Sequence, residues 1–191
     1  MGATCTLYRV NRAELALVLE WERAERYAVP ASAPNPLKEE RFSKGGRLIG
    51  SPEGMSASAD APLTLEMRRQ QRAFAYVLSR EYREDPRIGH TRRPCTPLGR
   101  AVFGAESDPY TPPAESILSL NRPGDVRGVA HALRGLDPEV HASELFAWAR
   151  AEDLPTHALA IQPSFALMAT NLTTFYSAAE ESGEAVVIFA T

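Results

Sequence analysis

Glu184-Ala-Val-Val-Ile-Phe-Ala190 is the stretch whose reading decides the fold. After one acidic residue it is continuously apolar and partly β-branched, a composition that suits a pleated surface. A strand that apolar has no water-facing side, so it must sit centrally or be covered on both faces. Gly183 stands before it and ends a helical pattern. Phe165, Met168, Leu172, Phe175 and Ala179 recur at spacings of 3, 4, 3 and 4, one face of a helix. A long helix therefore turns into a terminal core strand.

The other end of the chain offers a partner for that strand. In "MGATCTLYRV" (1–10), Ala3, Cys5 and Leu7 point one way and Thr4, Thr6 and Tyr8 the other, the period of a strand. Met1-Gly2 with Thr6 also fits an acylation signal, but alternation alone accounts for the residues. Cys5 is expected to be buried and inert. Asn11 and Glu14 stand in capping-box register. The helix they open, over 12–28, is expected to turn Leu17, Trp21, Ala24 and Ala28 inward, with Leu15, Val18 and Leu19 widening that face.

Between the ends, 29–64 is rich in Pro, Ala, Ser and Gly and lacks periodicity, apart from "RLIG", which suits a short strand. It is read as a mobile loop, since such a composition buries little to offset ordering entropy. A helix is predicted over 65–83, capped by Thr64, with Met67, Phe74, Val77 and Leu78 inward and Asp85-Pro86 as its stop. "TPLGRAVFG" predicts a short helix with Thr96 as cap, Pro97 first and Gly104 as terminator. "SILSL" reads as a buried strand. Val126, Val129, Ala130 and Leu133 follow the i, i+3, i+4, i+7 rule, and Gly135 ends that helix. Asp137-Pro138 begins another, and the chain re-enters helix after Pro155. The fold class is thus α+β: a small mixed sheet containing the N- and C-terminal strands, packed with several helices, in a single domain over 1–191.

Composition limits function. A chain of 191 residues with a net charge of −3 has no basic surplus of the kind nucleic-acid binders carry. No apolar run is long enough to cross a bilayer, and no leader peptide is visible, so a cytoplasmic protein is expected. Cys5 and Cys95 are the only cysteines, too few for a disulfide framework or a structural zinc site. Lys38 and Lys44 are the only lysines beside many arginines, a balance that fits a GC-rich bacterial genome.

"TPLGRAVFG", "ILSLNRPGDVRGVAHALRGLD" and "NLTTFYSAAEESGEAVVIFA" resemble the YfbM-like family of small bacterial proteins. The matching positions are Pro97 to Gly104, Ile117 to Leu136 and Leu172 to Phe189, with weaker likeness over 65–79 and the first ten residues. The resemblance implies a fold and no reaction. It also marks a departure: Gln71 and Ala75 stand where the family pattern has a Trp and a His, which speaks against a histidine-based activity at that place.

Candidate sites are few. His90, His131, His141 and His157 form no i, i+4 pair and no HExxH, so no metal site is expected. His131 falls on the water-facing side of its helix. No nucleophile elbow or phosphate loop is present, and no catalytic residue is assigned. Cys95 is a candidate reactive thiol: it precedes a helix start and lies near Arg92, Arg93 and His90, although no orienting acid is identifiable. Arg87, His90, Arg92, Arg93 and Arg100 form a candidate anion or partner site, because arginine forks suit carboxylate and phosphate. The function expected is a non-catalytic cytosolic protein-interaction module, of a neutralising or escorting kind, with no cofactor. The alternative is a small-molecule binder or enzyme with a pocket under the 29–64 loop.

Overall fold

In the computed structural model the C-terminal strand is flanked by strands on both sides. β6 (Ala185–Ala190) pairs antiparallel with β1 (Cys5–Val10), Leu7 lying opposite Ile188. Its other edge pairs antiparallel with β5 (Ile117–Asn121), Leu120 lying opposite Val187. With β2 (Arg47–Ile49), β3 (Thr64–Arg68) and β4 (Glu106–Ser107), the sheet has six strands in the order β2-β3-β1-β6-β5-β4. Only β2 beside β3 is parallel, so the sheet is mixed and holds both chain ends, as the sequence predicts. The structure describes residues 5–26, 35–38, 42, 47–49, 63–68, 71–85, 87–89, 92–107, 117–141, 143 and 164–190.

Both faces of the central strands are covered. On one, Leu7, Met67, Val186 and Ile188 pack beneath four helices: α2 (Gln71–Leu78), α4 (Pro97–Phe103), α5 (Pro123–Arg134) and α6 (Phe165–Glu181). Phe74, Val102, Val129, Phe165 and Leu172 fill the space between. On the other, Val10, Leu118, Leu120 and Val187 meet Val18 of α1 (Arg12–Arg26) and the buried Leu37 and Phe42. Burying side chains of that size contributes about 1.5–3 kcal/mol each. The mobility expected for 29–64 concerns mainly residues outside the described set. Those described there include a 3-10 turn over Pro36–Lys38, the strand β2, and the buried Leu37 and Phe42.

Local expectations fare differently along the chain. Asn11 and Glu14 form the capping box: Asn11 Oδ1 accepts from the Ala13 and Glu14 amides, and Glu14 accepts from the Asn11 amide. Leu17, however, is half exposed while Val18 is buried, so α1 is rotated from the expected face. The predicted helix over 65–83 is not one element. Thr64–Arg68 is strand, because pairing with β1 outweighs the helical preference of Leu-Glu-Met-Arg. The helix proper spans α2, breaks at Ser79, and resumes as α3 (Arg80–Glu84). The Ser79 hydroxyl accepts from the Tyr82 amide as cap of α3. Arg83 donates to the Tyr76 and Val77 carbonyls at 2.9 and 3.0 Å, satisfying the end of α2 that the break exposes. Gln71 Nε2 donates to the Val102 carbonyl at 3.0 Å, and Ala75 is fully buried. The two positions that depart from the family pattern are therefore a helix-end donor and a packing residue.

Two polar contacts tie the layers together. Arg9 is 5% exposed on the helix-covered face, and its guanidinium meets the Glu184 carboxylate at 2.7 Å and the Ser182 hydroxyl at 3.2 Å. That pair links β1 to the turn feeding β6, so a slipped register would strand a buried charge. Deeper in, Asn121 Nδ2 donates to Tyr176 Oη and to the Arg100 carbonyl, both at 2.8 Å, and Asn121 Oδ1 accepts from the Ala105 amide. Tyr176 donates onward to the Ala101 carbonyl at 3.0 Å. Gly104 (φ +75°) lets α4 end against β5; a Cβ there would lie 2.8 Å from the Leu120 nitrogen. Tyr176→Phe leaves an Asn121 N–H and the Ala101 carbonyl unpaired in the core. It is expected to cost about 2–4 kcal/mol, read as a lower denaturant midpoint at unchanged m-value.

Candidate functional site

The candidate surface begins where α3 ends. Asp85 accepts the Arg87 amide on Oδ1, an Asx turn, and its carbonyl accepts the Ile88 amide. Gly89 then donates to the Arg92 carbonyl at 2.8 Å, and Arg92 donates to the Arg87 carbonyl at 3.2 Å. Ile88 is buried in the main core and pins the turn from beneath. A Cβ at Gly89 (φ +82°) would fall 2.4 Å from the Phe103 ring, so the turn lies directly on α4. Backbone bonds and a core anchor thus hold the described residues of this turn.

Its arginines are held by carboxylates. Arg87 forks onto Asp85, Nε to Oδ1 at 2.8 Å and an η nitrogen to Oδ2 at 3.0 Å. Arg92 reaches the same Oδ2 at 3.0 Å. Both side chains remain open to water, 66% and 62% exposed. The hydrogen bond from Arg87, with the charge of Arg92 added, pushes the Asp85 carboxyl down to about 2. Arg93 is exposed, and the Glu106 carboxyl is lowered first by hydrogen bonding from Arg122 and further by the charges of Arg122 and Arg93. Arg122 forks onto Glu106 at 2.7 and 3.1 Å. Arg100 donates to the Pro94 carbonyl at 3.3 Å and pairs with Asp125 at 3.0 Å. His90 lies outside the described residues.

Cys95 is exposed, but the helix start behind it is already occupied. The Glu81 carboxylate accepts the backbone amides of Cys95 and Thr96 at 2.9 and 3.0 Å and the Thr96 hydroxyl as well. That negative charge offsets the field a thiol at this place would draw on. The carboxylate sits against Gly99, where a Cβ would lie 2.1 Å from Glu81 Oε1. Glu81 is a residue the sequence reading passed over; its only signal was an acid fourteen residues before a Cys-Thr-Pro helix start.

Cys5 and His141 are held within the fold. Cys5 is fully buried, which pushes its thiol up to about 12. His131 is exposed. His141 Nε2 lies 2.7 Å from the Val77 carbonyl and its ring stacks on Phe165. His157 lies outside the described residues, as does the space under the 29–64 loop. Among the described residues no group of His, Cys, Asp or Glu could hold a metal ion, and no helix is long and apolar enough to cross a membrane. A shallow depression of about 560 Å³ lies between the end of α5 and α6, lined by Arg134, Asp137, Glu139 and Thr170. Arg134 is engaged with Glu180 at 2.7 Å, and Asp137 caps the following turn.

The architecture is that of an α+β protein built on a six-stranded mixed sheet, with an arginine turn on its surface. It is similar to the crystal structure of YfbM from Escherichia coli, a protein of unknown function, with a TM-score of 0.60 over 98% of this chain and 99% of that one. Identity is 12%, so the likeness is one of fold, and it bears out the resemblance read from sequence at that level. No family model and no curated protein matches the chain.

The paired turn has a titration signature. The Asp85 carboxyl is held below its unfolded value, so its support for the turn is complete above about pH 4 and is lost as pH falls through about 2. NMR titration of the Asp85 carboxyl is expected to give a midpoint near 2, rising toward the ordinary value in Arg87→Gln. A midpoint unmoved by that substitution would contradict the geometry.

Proposed function

We propose that this protein is a non-catalytic, cytoplasmic protein-interaction module that neutralises or escorts a partner protein, and that the turn carrying Arg87, Arg92 and Arg93 is its contact surface. One observation carries the reading. Arg87 and Arg92 are both positioned by a single carboxylate yet more than half exposed. A guanidinium already held in place loses less rotamer freedom when it meets a partner, and arginine is favoured at protein interfaces. The described residues of the turn are also held by backbone bonds and by buried Ile88, which supports a pre-organised surface.

Arg100 belongs to the support of this surface, since it pairs with Asp125 and donates to the Pro94 carbonyl. Cys95 is assigned no chemistry, because Glu81 rather than a thiolate uses the neighbouring amides.

Tagged protein recovered from its own host is expected to bring down one partner in stoichiometric amount. The charge-reversed pair Arg87→Glu and Arg92→Glu, with melting temperature within a few degrees of wild type, is expected to lose it. Recovery of the same partner by the charge-reversed protein, or a clean monomer with the wild type, would overturn the reading.

A further inference from the structure

Two arginines reach Asp85 in different ways. Arg87 is two residues away, forks onto both carboxylate oxygens and closes an Asx turn, a contact that local geometry alone supports. Arg92 is seven residues away and makes one bond, to Oδ2 at 3.0 Å. Its reach depends on how the chain entering α4 lies against the end of α3. Glu81 ties those two parts together. It stands one turn before Asp85, the C-cap of α3, so both carboxylates lie on one side of that short helix. Glu81 accepts the Cys95 and Thr96 amides at 2.9 and 3.0 Å and the Thr96 hydroxyl as well. Arg92 lies three residues before Cys95, and between them Pro94 is buried, its carbonyl accepting from Arg100 at 3.3 Å. The stretch from Arg92 to Thr96 is thus fastened to the helix that carries Asp85.

We infer that Glu81 is a positioning residue for the arginine surface: its hold on Cys95 and Thr96 docks the start of α4 on α3 and so sets Arg92 beside Asp85, next to Arg87. The inference rests on the interaction-module reading for its role in partner binding, and on the contacts alone for the placement of Arg92. The arrangement separates the two arginines. Loss of Glu81 releases Arg92 and leaves the Arg87 fork in place. Arg92 is also bonded through its backbone to Arg87 and Gly89. Were those bonds sufficient, loss of Glu81 would leave Arg92 where it is. Charge and position act in opposite senses here. Glu81 and Asp85 are like charges one helical turn apart, so neutralising Glu81 by itself lowers the Asp85 titration midpoint. Releasing Arg92 raises it.

NMR titration of the Asp85 carboxyl in the full-length protein tests this. Glu81→Gln is expected to raise the midpoint by about half a pH unit, as Arg92→Gln does, and to add nothing when combined with Arg92→Gln. Thr96→Val keeps the Glu81 charge and removes the hydroxyl it holds. It is expected to raise the midpoint by less, and it decides the matter where Glu81→Gln fails to fold. A midpoint lowered or unmoved by Glu81→Gln, or unmoved by Thr96→Val where Glu81→Gln fails to fold, would overturn the inference. So would a full further rise on top of Arg92→Gln. Recovery of the host partner is expected to fall in Glu81→Gln as far as in Arg92→Gln. If the charge-reversed pair loses the partner while the midpoint ignores Glu81→Gln, the interaction-module reading stands and this inference falls. If the midpoint moves as stated while no variant changes partner recovery, the placement of Arg92 by Glu81 stands and the interaction-module reading falls.

Discussion

Cys5–Val10 pairs with Ala185–Ala190 along the whole length of both strands, and the remaining architecture depends on that contact. It joins the two ends of the chain in the middle of one sheet, so every element between them must leave and return. The strands to either side, β3 beyond β1 and β5 beyond β6, are templated on its outer edges. Its two faces then dictate the layers: helices α2, α4, α5 and α6 on one, α1 with Leu37 and Phe42 on the other. The Arg9–Glu184 pair holds the register, because a one-residue slip would move Arg9 to the opposite face.

The surface reading follows from how the helical layer is tied down. α4 is anchored at its start by Glu81 from α3 and at its end by Gln71 from α2. The described residues of the turn between α3 and α4 are tied by backbone bonds and by buried Ile88, and Arg87 and Arg92 meet on Asp85. In the fold Arg87 and Arg92 share Asp85, while Arg100 pairs with Asp125 and Arg122 with Glu106. Arg87 and Arg92 stay more than half exposed beside Asp85, on a protein whose net charge is negative. On the proposed function, an exposed pair of this kind serves partner choice more than general attraction to anions.

Much of the fold is legible in the sequence where one period dominates. The stripe from Phe165 to Ala179, the apolar run to Ala190 and the alternation at Cys5–Tyr8 each have a single physical reading, and all three are realised. The Thr96 cap and Gly104 stop are equally local and equally readable. Thr64–Arg68 was unreadable because its residues favour helix in isolation, and only the edge of β1 makes them strand. Leu17 misled because two overlapping helical faces compete on α1, and the sheet selects the one through Val18. Of the site, the arginine positions could be read but not their partners. Glu81, Asp125 and Glu106 are ordinary surface acids by sequence and acquire their roles through tertiary proximity.

Amide hydrogen exchange under native conditions tests the central pairing most directly. The protected amides of β1 and β6 are expected to exchange together, only through global unfolding, with opening free energies equal to the stability from denaturant melts. Exchange of the β1 amides orders of magnitude faster, with β6 still protected by β5, would show that the chain ends are not joined and would contradict the account.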